Sequence, residues 1–158
     1  LTIIDATRAR TGLGGLIQLV RSAAANPDQW AGVVRYRAGQ RWYQRLAQAE
    51  DHELWLLSWL PGQRTGFHDH LGSAGAFAVV LGTLEEHTAA HAGVSAAALG
   101  TGQVRAFGPR HVHDVVNASA GRAVSIHAYS PVLAGMRRYD LTPAGLVLTR
   151  IDTAKEDW

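Results

Sequence analysis

Cysteine is absent from the 158-residue chain. Its absence excludes disulfides and thiolate metal sites, and it confines any protein nucleophile to Ser, Thr, Lys or a carboxylate. Apolar runs of about 18 residues or more are also missing, so no membrane span is expected. The N-terminal residues lack the charged-then-apolar layout of a signal peptide, and a cytoplasmic location is the expectation. Charge of one sign is scarce: 15 Lys and Arg stand against 13 Asp and Glu, a formal net charge of +2. The basic residues are dispersed, which excludes the clustered footprint of a nucleic-acid binder. Hydrophobic residues make up 47% and charged residues 18%, a globular composition that argues against disorder. The length allows one domain with a substantial core. What the chain does have is seventeen glycines, scattered among short apolar runs, and eight histidines. With thiolates gone, imidazoles are the natural metal ligands left.

Two textures divide the chain. Over residues 1–37 the reading is helical. Leu13, Leu16, Ile17 and Val20 recur at helical spacing and predict a helix over Gly12–Ala25. Asn26-Pro27-Asp28 is a break, and a second short helix is expected over Gln29–Val34. From Arg41 onward, short apolar runs alternate with Gly- and Pro-containing breaks, the mark of a β-sandwich or barrel. The predicted strands are Arg41–Ala47, Glu53–Leu60, Ala74–Leu81, Leu84–Ala90, Gln103–Ala106, Val112–Asn117, Val124–Tyr129, Met136–Leu141 and Val147–Ile151. Leu81-Gly82-Thr83-Leu84 reads as a tight hairpin. Phe77, Val79 and Leu81 share one face and Ala76, Ala78 and Val80 the other, so that strand is buried on both sides. The organisation expected is one domain, an all-β barrel over 38–158 with the 1–37 helical segment packed on it.

Several constellations carry chemistry. In His68-Asp69-His70 the two imidazoles fall on one side of an extended chain and can converge on one ion. Gly62 precedes His68 by five intervening residues; Gly75 follows His70 by four, and Gly82 follows Gly75 by six. Further on, Pro109-Arg110-His111-Val112-His113 ends in a histidine with Asn117 three intervening residues beyond it; His111 is a rival ligand. Ser125, His127 and Tyr129 share one face of a strand. Tyr43-Gln44-Arg45 offers a guanidinium suited to paired hydrogen bonds with a carboxylate, and Arg41 shares its face as a fallback. Trp55 and Trp59 read as core or pocket wall. His52, His87 and His91 lack ligand-like partners and read as surface residues. Glu85 and Glu86, after the expected hairpin, read as solvated.

The glycine and histidine spacing from Gly62 to Gly82 resembles the first cupin motif, and Gly75 stands where that motif keeps a glutamate ligand. The segment after Pro109 resembles the second motif, one residue short and with His111 in place of glycine. Segment 43–131 is similar to the thiol dioxygenases, cysteine dioxygenase above all. That resemblance implies a single-domain cupin, a jelly-roll type β-barrel with short N-terminal helices. It implies Fe(II) held by His68, His70 and His113. It implies a relay through Ser125, His127 and Tyr129, followed as in the family by Ser130-Pro131, and a carboxylate grip by Arg45 beside Tyr43. The partners implied are O2 and a small thiol, L-cysteine foremost, on a monomer or small homo-oligomer. Gly75 excludes the cysteine–tyrosine cross-link of the animal enzymes. Three neutral imidazoles would leave a divalent ion its full charge, which suits an anionic thiolate. The alternatives are another thiol, such as 3-mercaptopropionate or mercaptosuccinate, and a non-catalytic metal-binding cupin.

Overall fold

The computed structural model describes residues 10–90 and 93–153; His91 lies outside them. The chain is mostly β. Helix α1 spans Leu13–Ala24 and stops at the Asn26-Pro27 break, as its spacing predicts. The second expected helix is instead two single 3-10 turns, Pro27–Gln29 and Ala31–Val33. Gly32 at the centre of this short stretch weakens a continuous helix.

Eleven strands follow: β1 Trp42–Gln48, β2 Glu53–Trp59, β3 Phe67–Asp69, β4 Ala74–Leu81, β5 Thr83–Ala90, β6 Gly93–Gly100, β7 Val104–Phe107, β8 His113–Val116, β9 Ala123–Ser130, β10 Gly135–Thr142 and β11 Gly145–Thr153. They form two antiparallel sheets, ordered β1-β2-β9-β4-β7 and β11-β10-β3-β8-β5-β6. Two of these strands, β3 and β6, lie outside the predicted set. β3 is only three residues long, and β6 (GVSAAALG) is built from small residues of low β propensity and pairs only with β5.

The expected hairpin at Gly82 is a crossover. β4 and β5 belong to different sheets and do not pair. Gly82 carries the chain between them at φ +75°, close against the Arg122 carbonyl, where a side chain would collide.

Both faces of the first sheet are covered, each by a different partner. Leu54, Leu56, Ala76, Ala78, Val124 and Ile126 pack with Leu16 and Val20 of α1. The opposite faces of β2, β4 and β9 contribute Leu57, Trp59, Phe77 and Val79 to an interior shared with Leu84, Val115 and Met136 of the second sheet. The double cover explains why β4 is apolar at every position and why all eight residues of β9 are buried. It also turns Ser125, His127 and Tyr129 into the barrel rather than towards solvent.

Candidate metal centre

Strand pairing brings the histidines together. His68 on β3 lies directly across from His113 on β8, and Arg138 on β10 lies across from His68 on its other side. In-register residues of adjacent strands share a face, so Arg138, His68 and His113 form one inward row. His70 follows β3 and joins the pair from beyond the strand end. The ring centroids of His68 stand 4.8 Å from both His70 and His113, and those of His70 and His113 stand 5.2 Å apart. One ring nitrogen from each lies within 4.8 Å of the others. Asp69, between the two histidines, points away from the cluster, where it accepts from Arg137 Nε and the Tyr139 hydroxyl, both at 2.8 Å.

Each imidazole is held differently. His68 Nδ1 lies 2.9 Å from the Gly66 carbonyl, which fixes Nδ1 as the protonated nitrogen and leaves Nε2 for an ion. His113 Nδ1 lies 2.8 Å from Glu86 Oε1, with the same consequence. His70 has no hydrogen bond at either ring nitrogen, although it is 1% exposed. Rings hold it instead: Phe107 stacks on it at 4.9 Å and Tyr129 lies at 5.0 Å. A buried imidazole with no partner is costly unless something binds it. Burial and the neighbouring imidazoles hold His68 and His70 well below the ordinary histidine range, so both are neutral and able to ligate. The donor set fits a divalent transition metal.

Glu86 is not solvated, as its position after a turn suggested. It is 3% exposed and receives His111 Nε2 at 2.9 Å and His113 Nδ1 at 2.8 Å, with the Arg105 guanidinium in ion-pair contact at 2.8 Å. Burial raises its carboxyl, but the bonds from His111 and His113 outweigh that and bring it down to about 2. Glu86, His111 and His113 form a second group with metal-like spacing. In that group, however, the facing nitrogens are already spent on one carboxylate oxygen. The parity of Glu86 with the fully buried Leu84 on β5 was the sequence signal that it turns inward. Glu85, on the other parity, is partly exposed and pairs with His87 at 3.0 Å.

A cavity of about 40 Å³ opens beside the histidines. Its walls include His68, His113, His127 and Tyr129, with Arg41, Tyr43 and Arg138 as the other polar lining side chains besides Thr65. Trp55, Leu57, Leu133 and Met136 make much of the rest apolar. Arg45 does not line it. Arg45 is half exposed, 3.8 Å from the buried carboxylate of Glu53 and over the Trp55 ring at 5.6 Å, so Glu53 draws it to the outer side of Trp55. Arg41 lies inside, 5.1 Å over the Trp59 ring, and makes no ion pair among the described residues. Burial and the nearby Arg138 guanidinium lower it to about 10, which leaves it charged at neutral pH. Arg138 is itself anchored by Asp152 at 2.8 Å and by the Thr65 carbonyl at 3.1 Å.

Opposite the histidines, β9 carries a chain of hydrogen bonds. Ser125 Oγ lies 2.8 Å from His127 Nε2, and His127 Nδ1 lies 3.2 Å from the Tyr129 hydroxyl. Phe77 stacks on His127 at 5.0 Å and 11°, fixing the ring plane. Burial lowers His127 to about 3 and raises Tyr129, so the pair is uncharged. Asn117, the motif asparagine, is a clasp: its amide donates to the Trp59 and Gly121 carbonyls at 3.2 and 2.8 Å. Gly75 is closed to any side chain. A Cβ there would collide with the Phe107 ring and come within 3.1 Å of Tyr129 Cδ1. Among the described residues no helix is long and apolar enough to cross a membrane.

Comparison with solved structures agrees with this architecture. An uncharacterised conserved protein with a double-stranded β-helix domain from Klebsiella pneumoniae matches 76% of this chain and 93% of its own, at 19% identity and a TM-score of 0.58. A cupin superfamily protein from Desulfitobacterium hafniense matches 65% and 87%, at 16% identity and a TM-score of 0.55. An oxalate oxidase in complex with the substrate analogue glycolate matches 65% and 57%, at 10% identity and a TM-score of 0.54. These likenesses establish the cupin fold. No curated protein sequence matches the chain. The family model for cysteine dioxygenase type I matches residues 8–142, and the chain belongs to that family of cupin dioxygenases.

Proposed function

We propose that the chain is an Fe(II)-dependent thiol dioxygenase that converts a small carboxylate-bearing thiol, L-cysteine foremost, to its sulfinic acid: RSH + O2 → RSO2H. The observation that carries this reading is a three-imidazole cluster opening onto a small cavity that also holds a buried tyrosine and an arginine, Arg41, with a backbone hydrogen bond to the Arg64 carbonyl and no carboxylate partner among the described residues. His68, His70 and His113 would hold the iron, which when bound supplies the redox chemistry. Arg41 binds the substrate carboxylate, a role its fork geometry suits; it takes the place that Arg45 was expected to fill. Tyr129, backed by His127 and Ser125, donates a hydrogen bond at the reacting end. Trp55, Leu57, Leu133 and Met136 exclude water and strengthen both interactions. The cytoplasm, where small thiols are kept reduced, is the proposed location, and a monomer or small homo-oligomer the proposed state.

Arg138 supports a second reading. It adds a second guanidinium to the cavity, across the ladder from His68. A thiol with two carboxylates, such as mercaptosuccinate, would engage both cations, whereas 3-mercaptopropionate would engage one. The test is anaerobic Fe(II) reconstitution followed by oxygen uptake and product mass against a thiol panel. A gain of two oxygen atoms on one thiol is the expected result. A chain that loads iron yet consumes no oxygen with any thiol is a non-catalytic metal-binding cupin.

A further inference from the structure

The hydrogen-bond chain on β9 does not end at Ser125. Trp59, on the adjacent strand β2 and 0% exposed, donates from Nε1 to Ser125 Oγ at 2.9 Å. An indole nitrogen can only donate. We propose that Trp59 sets the direction of the whole relay, so that every proton in it points towards Tyr129 and the Tyr129 hydroxyl proton points into the cavity.

Only two arrangements are open to Ser125. In the first, Ser125 accepts from Trp59 and gives its own proton to His127 Nε2. Nδ1 then carries the imidazole proton and donates to the Tyr129 oxygen, which frees the Tyr129 proton for a ligand. In the second, His127 Nε2–H donates to Ser125, Nδ1 is bare, and Tyr129 must turn its proton back onto Nδ1. Ser125 would then accept twice, and its own proton would face no acceptor, since the described residues give Oγ no third partner. Ser125 is 0% exposed, so water cannot relieve it. A buried unpaired donor is the more costly outcome. The Trp59 N–H closes the remaining escape, because the serine proton cannot turn towards another donor. A smaller phenyl ring at position 59 would remove that donor and leave room beside Ser125 for a water that accepts the serine proton, which makes both arrangements accessible.

Trp59 is thus a positioning residue, three links removed from the Tyr129 hydroxyl. The direction of the relay stands on hydrogen bonding alone, while its use in the reaction rests on the thiol dioxygenase reading above.

The test reads the tautomer of His127 directly. Two-bond 15N–1H correlation spectra are recorded on the full chain with Zn(II), a diamagnetic ion, added, and His127 is identified by its loss in His127→Gln. The expected result is a neutral imidazole with its proton on Nδ1. A proton on Nε2 overturns the proposal. In Trp59→Phe, the signals should move towards a mixture of the two tautomers; an unchanged pure Nδ1–H form would remove Trp59 as the determinant. If Trp59→Phe does not fold, Ser125→Ala serves in its place. It should release the same tautomer preference and shift the Trp59 indole proton, and unchanged signals for both would overturn the link. None of these readings needs turnover. The predicted tautomer with no oxygen uptake for any thiol would sink the dioxygenase reading and leave the relay standing.

Discussion

Glu86 Oε1 accepts from two imidazoles at once, Nδ1 of His113 at 2.8 Å and Nε2 of His111 at 2.9 Å. The protein therefore keeps a carboxylate near the proposed metal, one bond further out than a ligand would be. A carboxylate behind a ligating histidine fixes its tautomer and raises its basicity, and losing such a partner weakens metal binding about 10- to 100-fold. Glu86→Gln is expected to weaken Fe(II) binding by that order, read by anaerobic titration. An unchanged affinity would deny Glu86 this role.

The two candidate ligand groups share His113 and differ in His111. His113→Ala should therefore abolish iron loading and thiol-dependent oxygen uptake, while His111→Ala should retain bound iron. Metal content after anaerobic reconstitution separates them. Retention in His113→Ala would overturn the ligand set, and loss in both would point to the group containing Glu86.

Arg41 and Arg45 can be told apart kinetically. A hydrogen bond to a charged group is worth about 1.5–3 kcal/mol, so Arg41→Gln should raise KM for cysteine roughly 10- to 100-fold. Cysteamine, which has no carboxylate, should be far less affected. Arg45→Gln, which removes a half-exposed guanidinium outside the cavity, should leave both thiols close to wild type. A preference for cysteine that survives Arg41→Gln would count against the carboxylate role.

Acid should weaken the metal-free protein through His127. Its folded-state value, about 3, lies below the ordinary value near 6.5. Below about pH 6.5 the unfolded chain binds the proton and the folded chain does not, so stability falls as pH falls towards the folded value. Urea midpoints in chelator at pH 8, 6 and 5 should therefore decline more steeply for the wild type than for His127→Asn. Parallel declines would show that His127 is protonated in the fold.

The fold and the histidine cluster were largely legible in the sequence because both rest on local pattern. Period-2 alternation fixed most of the strands, and His68 and His70 are two residues apart. Three features were not legible. β6 lacks the large alternating side chains that mark a strand. The crossover at Gly82 has the look of a hairpin because one glycine serves either turn, and only sheet pairing decides. The choice between Arg45 and its fallback Arg41, and the presence of Arg138, depend on where Glu53 draws Arg45 and on what β10 places opposite His68, relationships between strands far apart in the chain. Glu86 follows a turn, which suggests a solvated side chain, yet its parity with Leu84 points it inward.

Gly75 has a consequence on an evolutionary scale. A single base change turns some glycine codons into glutamate codons, yet a carboxylate ligand could not return here by that change alone. The first side-chain carbon would strike Phe107, whose ring stacks on both His70 and His111. Shrinking Phe107 to make room would strip His70 of one of the rings that hold it. The three-histidine and the two-histidine, one-carboxylate sites are thus separated by a valley of paired substitutions, which would keep a lineage on this side of it.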